Sequence, residues 1–169
     1  MKRYDIVIGI DPDVSKSGVS SLDVKTRHID AETQTFPQLM EFLQFIVENG
    51  KVMVQSYVVV VEAGWLNEIS NYHTKADRAG QRISKNVGAN HEVGKKIVEM
   101  AKHYGLEVVE QKPLKKCWKG KDGKITHAEL EYFTGITGST NQESRDAALL
   151  AWNYANLPIK LKAENFFKI

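Results

Sequence analysis

The chain has one cysteine, no long hydrophobic run and almost no net charge, +2 over 169 residues. A lone Cys117 excludes an intrachain disulfide and any cysteine-rich zinc site. No apolar stretch approaches the ~20 residues that a bilayer-spanning helix needs. The opening Met1-Lys2-Arg3-Tyr4-Asp5 lacks a signal-peptide core and cleavage site, so a cytoplasmic location and no membrane partner are expected. There is no Gly-x-Ser-x-Gly elbow, no His-x-x-x-His pair, no internal repeat and no low-complexity segment. Side-chain nucleophiles of the hydrolase kind and helical zinc sites therefore have no sequence support.

What is present is an ordinary globular composition, 42% hydrophobic and 26% charged. The length suits one domain over residues 1–157, with a basic, aromatic tail over 158–169. The charge is unevenly spread. Residues 68–127 hold 13 basic against 7 acidic residues, and the remainder holds 10 against 14. A basic middle beside acidic flanks suits a polyanion-binding surface next to a carboxylate cluster; the plainer account is a solvated basic face.

Tyr4 to Ile10 predicts a buried strand, with Gly9 permitting close backbone approach. Gly18 to Val24 and His28 to Phe36 predict two antiparallel strands. Leu39, Phe42, Leu43 and Ile46 have helical spacing from Phe36 to a stop at Asn49-Gly50. Val58-Val59-Val60-Val61 lies in a central strand spanning Ser56 to Ala63. Leu66 to Gly80 is polar and predicts a loop; Gln81 to Tyr104 predicts a helix whose Gly88 and Gly94 suggest close packing or a break. Leu106 to Glu110 predicts the last strand, and Leu114 to Lys124 a basic loop. Thr126 to Glu129 and Thr140 to Glu143 each have the form of a capping box before a helix. The order indicates an α/β domain: a mixed sheet whose first three strands are antiparallel, with helices on both faces.

In such sheets, sites gather at the carboxyl ends of strands. Asp11 and Glu62 lie at two such ends, and Asp146 opens a helix near the C-terminus. Three carboxylates brought together repel and call for divalent cations. Glu143, three residues before Asp146, shares its helix face, although an acid in a first turn is also favoured by the helix dipole.

Three segments resemble the RuvC-like Holliday junction resolvases of the RNase H-like superfamily. They are Ile8-Gly9-Ile10-Asp11-Pro12 with Gly18 following, Val60-Val61-Glu62 with Trp65 three residues on, and Glu143-Ser144-Arg145-Asp146-Ala147-Ala148-Leu149-Leu150-Ala151. The chain departs from the family at Asp13, where glycine is usual, and at Glu143, where aspartate is commoner. The resemblance implies an RNase H-like five-stranded sheet of order 3-2-1-4-5 and a homodimer. It implies an endonuclease that resolves four-way junctions in branched DNA. Two Mg2+ or Mn2+ ions would be held by Asp11, Glu62, Glu143 and Asp146, and cleavage would leave 5′-phosphate and 3′-hydroxyl ends.

By the same resemblance Trp65 occupies the position of an aromatic that stacks on unpaired bases, a core tryptophan being the alternative. Lys115, Lys116, Lys119, Lys121 and Lys124 sit in or beside a glycine-containing basic loop, where flexible ammonium groups suit phosphate contacts, with Lys116 and Lys124 foremost and solubility the alternative, and Arg78, Arg82 and Lys85 extend the track. Other structured DNA or RNA as substrate, or an inactive nucleic-acid-binding protein of the same fold, are the competing functions.

Overall fold

A computed structural model describes residues 3–67 and 78–161, with the side chains of Arg78 and Ala79 outside the description. Its elements follow the expected order. Strands β1 (Ile6–Asp11), β2 (Ser17–Asp23) and β3 (Ile29–Gln34) precede helix α1 (Phe36–Met53) and strand β4 (Tyr57–Glu62). Helix α2 (Arg78–His103), strand β5 (Glu107–Gln111) and helices α3 (His127–Thr134) and α4 (Gln142–Tyr154) complete the chain. The sheet order is β3-β2-β1-β4-β5. β2 pairs antiparallel with β1 and β3, whereas β4 pairs parallel with β1 and β5.

Strand alternation sorts the core into two layers. Ile6, Ile8 and Ile10 of β1 and Val59 and Val61 of β4 face α1 and α2, meeting Leu39, Leu43, Ile97 and Ala101. Val7, Val58 and Val60 face the other way, onto Ala148, Leu150, Ala151 and Trp152 of α4 and Leu130 of α3. Val58 to Val61 are all fully buried, which is why the run reads as strand: each contributes about 1.5–3 kcal/mol of burial, and both faces are covered. Asp11 and Glu62 fall on the α4 face by this alternation, two residues beyond Gly9 and Val60.

Two glycines let α4 lie directly on the sheet. A Cβ at Gly9 would stand 2.2 Å from the Ala147 carbonyl oxygen, and one at Gly18 would stand 1.9 Å from that of Glu143. Ser20 adds a hydrogen bond from its hydroxyl to the Ala147 carbonyl at 2.8 Å. The first turns of α4, with Glu143 and Asp146, thereby sit over the β1–β2 end of the sheet.

Several local expectations shift. α1 does not stop at Asn49-Gly50; it runs to Met53 and ends on Val54, in the left-handed region at φ 54°. Gly50 is small because Tyr57 packs on it, 2.9 Å from where a Cβ would be. The box before α4 is one residue later than expected, with Asn141 as cap accepting from the Ser144 amide at 2.9 Å and Ser144 answering. Glu143 is thus outside the box. The Thr126–Glu129 box forms as expected. The segment expected as loop, Leu66 to Gly80, opens on the end of a short 3-10 turn, Gly64–Leu66, and α2 already begins at Arg78 within it, while residues 68–77 lie outside the described set, as does most of the tail. Gly94 serves close packing, with Trp65 against it, whereas Gly88 meets nothing, and α2 does not break at either. Among the described residues, no helix is long and apolar enough to cross a membrane.

Candidate active site

The parallel register of β1 and β4 places Ile10 opposite Val61. One step further sets Asp11 beside Glu62, on neighbouring strands whose spacing is ~4.8 Å. α4 supplies Asp146 from above. These three carboxylates line one cleft of about 100 Å³, whose other wall is the segment after β5: Pro113 to Lys116, Trp118, and Gly123 to Ile125. Glu143 does not line the cleft, but its charge reaches both Asp11 and Lys124.

The electrostatics are those of crowded anions. Burial, followed by the charges of Glu62 and Asp146, pushes the Asp11 carboxyl well above the usual range against a partial offset from Lys124. Asp11 keeps a strip of accessible surface in the cleft, yet protein surrounds it on most sides, so desolvation leads. Burial and Asp146 likewise raise Glu62, while Lys124 and Lys116 pull it down. Burial opposes the charge on Lys124, but its hydrogen bond to Asp146 and the charges of Asp146, Asp11 and Glu143 outweigh that and hold its pKa up. The Asp11 and Glu62 shifts are the expected result of burial and like charges, and the Lys124 shift that of opposite charges around a partly buried ammonium.

Asp146 is fully engaged. Lys124 Nζ lies 3.0 Å from Oδ2, with only 18% of the Asp146 side chain exposed, and Gln142 Nε2 donates to Oδ1 at 2.8 Å. Arg145 fixes the orientation of that amide, giving a hydrogen bond from an η nitrogen to Gln142 Oε1 at 3.1 Å. Its Nε donates to the Ile125 carbonyl at 3.0 Å, and its other η nitrogen to the Thr140 carbonyl at 2.9 Å. Arg145 and Gln142 therefore dock the lysine-bearing loop onto α4. Sequence reasoning missed both, although Arg145 stands inside the third motif between Glu143 and Asp146.

A chain comparison fits this geometry. No protein-family model matches the sequence, and no curated protein matches it. Among solved structures, RuvC of T. thermophilus in complex with a Holliday junction substrate superposes with a TM-score of 0.51, at 16% identity, over 89% of this chain and 92% of that one. The fold is RuvC-like. In this RuvC-like sheet the two central parallel strands end in acids, and the helix bearing the third acid packs across them.

The remaining expected site residues scatter. Lys115, Lys116 and Lys124 line the cleft, whereas Lys119 and Lys121 are exposed elsewhere on the same loop and do not. Arg82 and Lys85 are exposed on the first turns of α2; the Arg78 side chain lies outside the described residues. Trp65 does not line the cleft. Its ring packs against Gly94 in the core layer under α1 and α2, edge-on to His91 at 6.1 Å, and its N–H donates to Glu110 Oε2 at 3.0 Å. Trp118 is the aromatic at the cleft wall, and sequence reasoning passed over it.

The donor set suits a hard divalent cation in chemistry, because crowded carboxylate oxygens with raised proton affinity are relieved by one. Among the described residues no group of three or more acids, histidines or cysteines is disposed to hold a metal ion as it stands. The Asp146 oxygens face Lys124 and Gln142 instead.

Proposed function

We propose that this protein is a metal-dependent endonuclease that cuts branched DNA, with the four-way junction as its substrate. The observation that supports this best is the meeting of Asp11, Glu62 and Asp146 in one cleft walled by Lys115, Lys116 and Lys124. Acids alone would repel a phosphodiester, and lysines alone would only bind it. Together they suit cleavage of a phosphate chain held by cations. The RuvC likeness adds a structural neighbour solved in complex with a Holliday junction substrate.

Asp11, Glu62, Asp146 and Glu143 would hold Mg2+ or Mn2+, two ions in the full site. Bound there, the metal would supply an activated water and charge stabilisation of the leaving 3′ oxygen, leaving 5′-phosphate and 3′-hydroxyl ends. The chain's own residues have separable tasks. Asp11, on a rigid central strand, fixes the floor of the site. Gln142 and Arg145 orient Asp146 and hold the loop in place. Lys115 and Lys116 draw the phosphate chain over the acids, and Lys124 restrains Asp146 through its ion pair. Paired cuts on a symmetric junction require two such clefts, so the active unit is a homodimer.

The test is cleavage of an end-labelled synthetic four-way junction in magnesium, beside duplex and flap substrates, with Asp146→Asn as the blank. Symmetric nicks on the junction, absent with the variant, are expected. Cutting of duplex or flap alone would remove the junction from the proposal and keep the nuclease. Salt-dependent binding without any cutting would leave an inactive nucleic-acid-binding protein.

A further inference from the structure

One stripe of α2 touches the exits of both acid-bearing strands. Asn90, His91 and Gly94 lie within one turn of each other on one face of the helix. β1 ends at Asp11 and the chain passes on through Pro12, Asp13 and Val14. Asn90 ties that exit twice. Its Oδ1 accepts from the Val14 amide at 3.0 Å, and its Nδ2 donates to Asp13 Oδ2 at 3.2 Å. The other Asp13 oxygen accepts from the Ser15 amide at 2.8 Å, and the Asp13 amide donates to the Ser17 hydroxyl at 3.1 Å, so the turn is closed on itself where it meets the helix. β4 ends at Glu62 and leads to Gly64 and Trp65. A Cβ at Gly64 would stand 2.6 Å from His91 Nε2, and one at Gly94 would stand 2.4 Å from Trp65 Cζ3 and 3.1 Å from Pro12 Cγ. Both exits therefore rest on the same bare patch of helix, Pro12 from β1 and Trp65 from β4.

We propose that Asp13 and Asn90 are positioning residues that hold Asp11 at its distance from Glu62. The inference rests on the metal-dependent nuclease function above and adds what sets the spacing of its two strand-borne acids. The register of β1 on β4 ends with Ile10 opposite Val61. One residue later Asp11 is still paired with Gly18 of β2, and Glu62 with Gln111 of β5, so each acid is held to an outer strand and not to the other. Their charges repel, which favours a wider gap. α2 spans that gap, with His91 and Gly94 against the exit of β4 and Asn90 against the exit of β1. Asp13, where the chain departs from the resolvase pattern, gives Asn90 a side chain to hold; a glycine would offer none. Bonds one layer behind a metal ligand orient it, and their loss typically costs 10- to 100-fold in metal affinity.

The experiment titrates the full chain with Mn2+ in the absence of DNA, reading the free ion by its electron paramagnetic resonance, and records the melting temperature of each variant. Asp13→Asn turns an amide donor on the Asn90 amide, and Asn90→Asp sets two carboxylates face to face. Each is expected to weaken Mn2+ binding by roughly 10- to 100-fold. The double variant Asp13→Asn with Asn90→Asp returns a donor to face an acceptor, moves the charge across the pair and keeps the net charge, so it should restore most of the affinity. Asn90→Ala drops both bonds without adding charge; it should weaken binding too, and it carries the test if a charged variant does not fold. Ser56→Ala, at the other end of the same two strands, should lower the melting temperature and leave Mn2+ affinity unchanged. Single variants that melt earlier but bind Mn2+ normally would overturn the proposal, since the pair would then serve stability alone. A double variant no better than the weaker single one would also overturn it. If the unaltered protein binds no Mn2+, the metal-dependent function falls and this inference with it, whereas normal binding that none of these substitutions at positions 13 and 90 changes removes this inference alone.

Discussion

Strand β1 has an aspartate at each end, each facing a residue of its parallel neighbour β4, and the two are opposites. At the amino ends Asp5 faces Ser56, which donates to its carboxylate from both amide and hydroxyl at 2.8 Å and whose hydroxyl oxygen accepts from the Asp5 amide at 3.0 Å. Those bonds hold the Asp5 carboxyl below its usual range. At the carboxyl ends, six residues later in the same register, Asp11 faces Glu62, and burial with that neighbouring charge pushes its carboxyl up. One pair is satisfied and the other is frustrated. An acid at a strand end is therefore not a site by itself; what stands across from it decides.

The comparison can be broken most severely by copying one end onto the other. Glu62→Ser would set the amino-end pairing at the carboxyl end. Junction cutting should then fall by on the order of 10³-fold or more, as when an acting group of a catalytic set is removed, while the melting temperature holds or rises. A variant that cuts normally would show that Glu62 takes no part. The next largest effect tests the delivery of Asp146. Gly18→Ala drives a Cβ into the Glu143 carbonyl, so α4 must move. A destabilisation of about 1–3 kcal/mol is expected in chemical denaturation, together with reduced cutting. An unchanged denaturation midpoint would mean that the close approach of helix and sheet is not tight.

Two smaller effects differ in sign. The Asp11 pKa is raised in the folded protein, so the folded state holds the proton more tightly than the unfolded chain does, and stability falls as pH rises through the folded value. Asp11→Asn should accordingly raise the melting temperature at pH 7 in EDTA, with the gain shrinking as the buffer is taken towards pH 4. Equal melting curves at both pH values would contradict this. For Asp5 the pKa is depressed, so its contribution is present above the unfolded value and is lost as pH falls through the folded one. Asp5→Asn should lower the melting temperature slightly at pH 7 and have no effect in strong acid. Because Asp5 is exposed, this is the smallest of the four.

Much of this was legible in the chain as written. The β-branched runs Ile6 to Ile10 and Val58 to Val61, the small-residue face Ala147-Ala148, and the strand-ending positions of Asp11 and Glu62 are local patterns, and local patterns determine elements and their buried faces. The capping of α3 followed from them, whereas the sheet order came from the resemblance of the three motifs to a known family. The end of α1 and the cap of α4 did not. A glycine or a threonine near a helix end has several uses, and Gly50 is packed on by Tyr57 while Thr140 bonds Arg145 and His127. The site itself was only half visible. That Asp11 stands beside Glu62 depends on a register between strands some 51 residues apart, of the kind seen at Asp5 and Ser56. That Lys124 pairs with Asp146, that Trp118 rather than Trp65 lines the cleft, and that Arg145 ties the loop to α4 depend on how one glycine-braced loop folds back over the sheet. The sequence by itself determined which strands end in acids, because alternation and burial act over a few residues. Only the tertiary structure decided which lysine and which tryptophan join them, because charge and stacking act between groups that meet only when the chain has folded.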